Sequence, residues 1–176
     1  MRFKHCFFLI LFTALSTFTS AGDKPVLKLS LELPKIQADP YLKPYVAIWL
    51  EDNQRRPITT IALWYQLQGL NTAQADGKKW LKDLRQWWRK IGRSKAYDLD
   101  GVTGATRRPG SYEIGWPLSQ ELFKKLNSGS LVLHVEAARE EGGRSYQRIP
   151  LGAFGDAGFA VAADGELGAI QVWLVE

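Results

Sequence analysis

Apolar and polar residues alternate from Val26 to Leu33 (VLKLSLEL), the period-two mark of a strand with one buried face. Pro34 to Pro44 reads as a proline-bounded connection. Tyr45 to Glu51 (YVAIWLE) is rich in β-branched and aromatic residues and predicts a second strand. Asp52-Asn53-Gln54 supplies turn residues, and Ile58 to Trp64 (ITTIALW) is the expected hairpin partner. Strand character returns at Ser111 to Trp116, Leu131 to Ala138, Ser145 to Leu151 and Ala169 to Val175. Glu141-Gly142-Gly143-Arg144 predicts a tight hairpin turn between the second and third of these. Leu67 to Gly77 and Ala153 to Gly165 read as loops, and Ser119 to Leu126 as a short helical turn.

The period changes once. Between Lys78 and Ile91 the apolar residues are Trp80, Leu81, Leu84, Trp87, Trp88 and Ile91, which share one stripe of an α-helix. Lys78, Lys82, Arg85 and Arg89 fall opposite, and such a cationic face is usually solvated rather than laid on lipid. Asp76 is the expected N-cap and Gly92 the expected C-terminal stop. About seven short strands with one inserted amphipathic helix, residues 78–91, predict a mainly β protein: an immunoglobulin-like antiparallel β-sandwich.

The N-terminus departs from this pattern. Arg2 and Lys4 precede an apolar run from Cys6 to Phe18, and Thr19-Ser20-Ala21 is a small-residue exit. Residues 1–21 are therefore expected to be a cleavable secretory signal, cut after Ala21. The run is too short for a membrane span, which needs roughly 20 apolar residues. Residues 22–176 are then one domain, expected in the periplasm and not embedded in the membrane. Cys6 and His5 leave with the signal, so His134 is the one remaining imidazole. Thiolate and multi-histidine metal sites are excluded, and no metal is expected. Loss of Arg2 and Lys4 takes Lys plus Arg from 23 to 21 against 18 Asp plus Glu, a mature charge of +3. That gives no electrostatic case for nucleic acid. His134 alternates with Leu133 and Val135, so it is expected on the polar side of its strand or as a satisfied sheet residue. Most of the seven Trp are expected in the core.

Between the helix and the next strand, residues 97–110 form a polar, glycine-rich loop with chemical potential. Its Asp100 to Thr106 (DGVTGAT) resembles the D-x-x-[ST]-G-A-[ST] signature of proteins that receive covalent FMN. It is similar to the FMN-carrying subunits of Rnf-type and sodium-pumping electron-transfer complexes. In those families a flavin transferase uses FAD and Mg²⁺ to join FMN, through its phosphate, to the last hydroxyl of the motif. The resemblance implies Thr106 as acceptor, with Asp100, Thr103, Gly104 and Ala105 as the recognition frame. The residue types suit this role: a hydroxyl is the nucleophile, and small neighbours let a second enzyme approach. Arg107 and Arg108 can stabilise a phosphodiester by charge-assisted hydrogen bonds.

A broader resemblance covers most of the mature chain. Lys43 to Asp52 (KPYVAIWLED), Ala62-Leu63-Trp64, Trp80 to Trp88 (WLKDLRQWW), Thr103 to Gly110 (TGATRRPG) and Glu136 to Gly143 (EAAREEGG) look like a family of predicted periplasmic proteins of unknown function, domain-of-unknown-function family 2271. Its members tend to occur beside membrane reductases of the PepSY type and flavin transferases, which are the partners the resemblance implies. Together the two resemblances point to a periplasmic flavoprotein electron carrier rather than a stand-alone enzyme. The alternative is a cofactor-free β-sandwich acting as a structural or protein-binding module, which leaves DGVTGAT unexplained. No carboxylate pair, Ser-His-Asp set or phosphate loop supports a hydrolase.

Overall fold

Among the described residues, nine strands make two sheets that face each other across one apolar layer. The computed structural model describes residues 24–66, 77–94, 99, 101–152 and 158–176. The predicted signal, residues 1–21, and Asp76 and Asp100 lie outside the described residues. The first sheet holds β1 (Val26–Leu33), β5 (Gly110–Pro117), β8 (Phe159–Val161) and β9 (Ile170–Val175) in the order β5-β1-β9-β8. The second holds β2 (Tyr45–Asp52), β3 (Pro57–Tyr65), β4 (Thr103–Ala105), β6 (Leu131–Ala138) and β7 (Arg144–Leu151) in the order β4-β3-β2-β6-β7. The expected β-sandwich is the observed architecture, and all seven predicted strands are present.

β1 shows the link from pattern to packing most simply. Leu27, Leu29, Leu31 and Leu33 all point into the core, and the residues between them face outward. β2 and β6 do not alternate in this way, being buried at every position. Val46, Ile48, Leu50, Leu133, Val135 and Ala137 face the other sheet. Tyr45, Ala47, Trp49 and Ala138 belong to a second apolar cluster on the opposite face. A helical segment covers that face with Leu81, Leu84, Trp87 and Ile91, so the central strands are desolvated on both sides. Burying a Leu or larger side chain contributes about 2–3 kcal/mol, which is what holds the segment down.

Three expectations are corrected here, the smallest being the Ala153 to Gly165 loop, within which Phe159–Val161 pairs with β9 as a strand. Residues 78–91 are not one α-helix but a 3₁₀ helix (Gly77–Asp83), a turn of α-helix, α1 (Arg85–Trp87), and a π turn (Trp88–Gly92). The break falls at Leu84, whose ψ is 71°. It frees the amides of Gln86 and Trp87, which donate instead to the carboxylate of Glu136 on β6 at 2.9–3.1 Å. In an unbroken α-helix those amides would bond to the carbonyls of residues 82 and 83. Gly92 is no left-handed stop either. The π turn runs through it, and a Cβ there would run into the rings of Trp87 and Trp88.

The second correction concerns residues 97–110, expected as loop. Thr103–Ala105 is an edge strand running parallel to β3, with Leu63, Trp64 and Tyr65 opposite Thr103, Gly104 and Ala105. Parallel neighbours need a crossover of a dozen or more residues, and the covering helical segment is that crossover. Gly101, with φ of 73°, turns the chain into β4. Elsewhere Ser119 caps α2 (Gln120–Asn127) by accepting from the amide of Leu122, as the predicted helical turn required. The Glu141-Gly142-Gly143 hairpin turn is present, but its positive φ of 54° belongs to Glu141. The glycines are there for close approach: a Cβ would meet the Arg139 guanidinium at Gly142 and the Glu166 carboxylate at Gly143, each at 2.6 Å. Three of the seven Trp (Trp49, Trp64 and Trp87) are buried, and the other four are half-buried.

Candidate functional site

β4 carries the motif to the sheet edge, and the chain leaves it at Thr106. The Leu63 amide donates to the Val102 carbonyl at 2.9 Å, and the Thr106 amide donates to the Tyr65 carbonyl at 3.2 Å. These two bonds fix the backbone on either side of the three-residue strand. Thr103 and Ala105 are exposed along the edge, while Gly104 is half-buried against Trp64. A Cβ on Gly104 would sit 3.4 Å from the Trp64 ring, an ordinary contact, so packing alone does not demand glycine there.

Thr106 is half-buried and lines a hollow of about 250 Å³ with Tyr41, Leu42, Lys43, Tyr45, Gln66 and Glu140. Tyr41 also lines a larger, mainly apolar groove of about 880 Å³, walled by Lys35 to Asp39 on one side and Arg108 and Pro109 on the other. The Tyr41 hydroxyl is held above its ordinary pKa, first by burial and then by the charge of Glu166. Arg107 and Arg108 turn in different directions. The Arg107 guanidinium lies over Trp64 at 3.9 Å and over Tyr112 at 4.8 Å, two cation–π contacts. Tyr112 donates its hydroxyl to the Arg108 carbonyl at 2.7 Å, which pins the segment while the Arg108 side chain faces the groove.

Of the predicted site residues, the structure thus brings Thr106 to a hollow, spreads Thr103, Gly104 and Ala105 along an edge strand, and engages Arg107 with two rings. Tyr41, Lys43 and Gln66 were not singled out from the sequence. Lys43 stands in the KPYVAIWLED block that carries the family resemblance, the one signal pointing to it.

A second polar cluster lies under the helical segment, on the same face of the sheet. His134 is 3 % exposed and stacks on Trp49, with ring centroids 4.8 Å apart. Its Nδ1 shares a hydrogen with the Tyr146 hydroxyl at 2.6 Å. Its Nε2 has no hydrogen-bond partner among the described residues and stands 3.6 Å from Glu51 Oε2. Trp49 Nε1 donates to Glu51 Oε1 at 3.0 Å, and Lys90 Nζ pairs with Oε2 at 3.3 Å. His134 thus faces away from the inner core, as its alternation with Leu133 and Val135 predicted, but the crossover covers that face and one ring nitrogen finds no partner among the described residues.

Burial pushes the His134 pKa down to about 4, with Arg148 and Lys90 adding to the shift and Glu51 opposing it. The folded state holds the ring neutral, while the unfolded ring takes up a proton below about 6.5. Protonation therefore favours unfolding in this window. The contribution is fully present above pH 6.5 and is lost as pH falls towards 4, at most about 3 kcal/mol. Thermal melts across this range are expected to show stability rising with pH, and His134→Gln to flatten the rise. An unchanged slope in the variant would contradict this assignment.

Among the described residues no helix is long and apolar enough to cross a membrane. A family model described as "Predicted periplasmic protein (DUF2271)" matches residues 26–169. No curated protein and no solved structure matches the chain.

Proposed function

Because the chain belongs to the DUF2271 family of predicted periplasmic proteins, we propose that it is a periplasmic electron carrier holding FMN covalently on Thr106. The observation that carries this reading is the position of Thr106. The last hydroxyl-bearing residue of the DGVTGAT motif lines a hollow that shares Tyr41 with an apolar groove of about 880 Å³. That volume lies in the range of small-molecule and cofactor sites, roughly 300–1,000 Å³. Thr103, the other hydroxyl of the motif, faces outward from an edge strand.

Each nearby residue has a role in this reading. Lys43 and Arg108 offer cationic donors to the phosphate that joins cofactor to chain. Tyr41 presents an aromatic ring between the hollow and the groove. Ile36 and Pro109 supply apolar walls. Attachment requires a flavin transferase with FAD. The Thr106 oxygen bonds to the phosphorus on the FMN side of FAD, the pyrophosphate linkage breaks, AMP leaves, and the hydroxyl proton passes to a base of the transferase. The flavin, once attached, supplies one- and two-electron redox chemistry, and the protein supplies position and surroundings. A membrane-embedded reductase of the PepSY type is the proposed electron donor. Covalent attachment suits a compartment where a dissociable cofactor would be lost by dilution.

The test is incorporation. Co-expressed with a periplasmic flavin transferase, the chain is expected to gain the mass of FMN less one water and to fluoresce under blue light after denaturing electrophoresis. A colourless chain beside a transferase that modifies another substrate would overturn the reading.

A further inference from the structure

The cluster around His134 opens outward into a hollow of about 150 Å³ with an uneven charge. Arg55, Arg89, Lys90 and Arg148 line it, against one carboxylate, Glu51. Two of the four cations are committed, Lys90 to Glu51 and to the Arg55 carbonyl, and Arg89 to the Gln86 side chain. The guanidinium groups of Arg55 and Arg148 make no hydrogen bond or ion pair among the described residues. At the base, buried His134 Nε2 has no hydrogen-bond partner among the described residues. A nitrogen facing a carboxylate at 3.6 Å is favourable as a donor and repulsive as an acceptor. Tyr146 therefore donates to Nδ1, and the Nε2–H is the open donor. A buried donor without a partner is destabilising, so this hollow is built to be filled.

We propose that this hollow binds free hydrogen phosphate, held by Arg55 and Arg148 at the rim and by the His134 Nε2–H at the base. The class follows from the donors: two guanidinium groups without a partner among the described residues and one N–H line a single space fit for a small tetrahedral oxyanion. The proton follows from Glu51. Each of its oxygens accepts one hydrogen bond already and keeps a lone pair, so it favours an anion that carries a hydroxyl. Sulfate and a phosphomonoester dianion carry none and meet repulsion instead. The site is separate from Thr106. Tyr45, beside Thr106, and Glu51 are six residues apart on β2, about 20 Å along an extended strand.

Titration calorimetry of the exported full chain at constant ionic strength, with chloride as reference anion, tests this. Inorganic phosphate near pH 7.5 is expected to bind saturably at one site per chain, and sulfate and methyl phosphate at least tenfold more weakly. Arg55→Gln and Arg148→Gln change exposed side chains, so the fold is expected to survive, and each is expected to weaken phosphate at least tenfold. Lys125→Gln, on α2, is expected to change nothing. No saturable binding of phosphate, or binding unaffected by both arginine variants, would overturn the proposal. Equal affinity for phosphate and either proton-free anion would overturn the part given to Glu51.

Discussion

Thr106→Val is expected to abolish flavin attachment and leave the fold intact. The substitution removes the hydroxyl and keeps the β-branched shape. The backbone amide that ties residue 106 to the Tyr65 carbonyl is untouched, so β4 stays on the sheet edge. Changes away from core packing and buried polar networks cost roughly 0.5 kcal/mol or less, and the melting temperature is expected to hold within about two degrees. With a flavin transferase present, the wild type is expected to carry the added mass and in-gel fluorescence, and Thr106→Val neither. Thr103→Val is expected to keep both signals, because Thr103 is exposed on the strand and away from the hollow. Asp100→Ala is expected to lower the yield without moving the position. Fluorescence persisting in Thr106→Val and vanishing in Thr103→Val would transfer the acceptor role.

Glu136→Ala is expected to cause the largest loss of stability. Glu136 is fully buried, and its carboxylate accepts from the Gln86 and Trp87 amides and from Arg144 at 3.1 Å. Removing it strands the buried Trp87 amide and the part-buried Gln86 amide and uncouples the crossover from the sheet it covers. Deleting one partner from a buried charged network costs about 3–5 kcal/mol. For a chain of this size that lowers the melting temperature by about 10 °C. Glu136→Gln keeps the shape and one acceptor oxygen, and is expected to lose about half as much. Because the crossover would open first, limited proteolysis of Glu136→Ala is expected to cut within residues 77–94 well below the global transition. A melting temperature within two degrees of wild type would show that the carboxylate is not what fixes the helical break.

The route from the break to the motif is also physical. The crossover joins β3 to its parallel neighbour β4, so the contact that seats the helical segment helps deliver Thr106 to the sheet edge. A helix between two strands is what a parallel pair requires. The sequence carried that hint: ITTIALW, then the Trp-rich helical stripe, then TGAT. The strand itself was not legible, since Thr-Gly-Ala has little intrinsic strand preference. It pairs because the edge of β3 offers unpaired backbone groups beside it.

The β3 partner of β2 shows the same division in smaller form. Ile58 to Trp64 is plainly a strand by composition, yet its faces do not follow a single alternation. Trp49 lies opposite Thr60 while Ile48 lies opposite Ala62, so Ile61 is an extra residue in the ladder. The bulge sends both Ile61 and Ala62 to the inner core and returns Thr60 to the outer face, where its hydroxyl accepts from Trp87 Nε1 at 3.2 Å.

Local pattern determined what local forces control. The alternation of β1, the β-branched runs of β2 and β6, the Ser119 cap and the motif Asp100 to Thr106 were each written within a short continuous stretch of chain. Tertiary structure decided which polar residues lost water. Glu51, His134 and Glu136 sit at positions that alternate with the inner core and would face solvent in a sandwich with bare outer faces. The crossover covers them, and each must then find partners far along the chain: Lys90 for Glu51, Tyr146 for His134, Gln86 and Trp87 for Glu136. The same long-range demand breaks the helix at Leu84, 52 residues before Glu136. Periodicity in sequence reports which residues share a face. What covers that face, and which donors meet there, follows only from the packed fold.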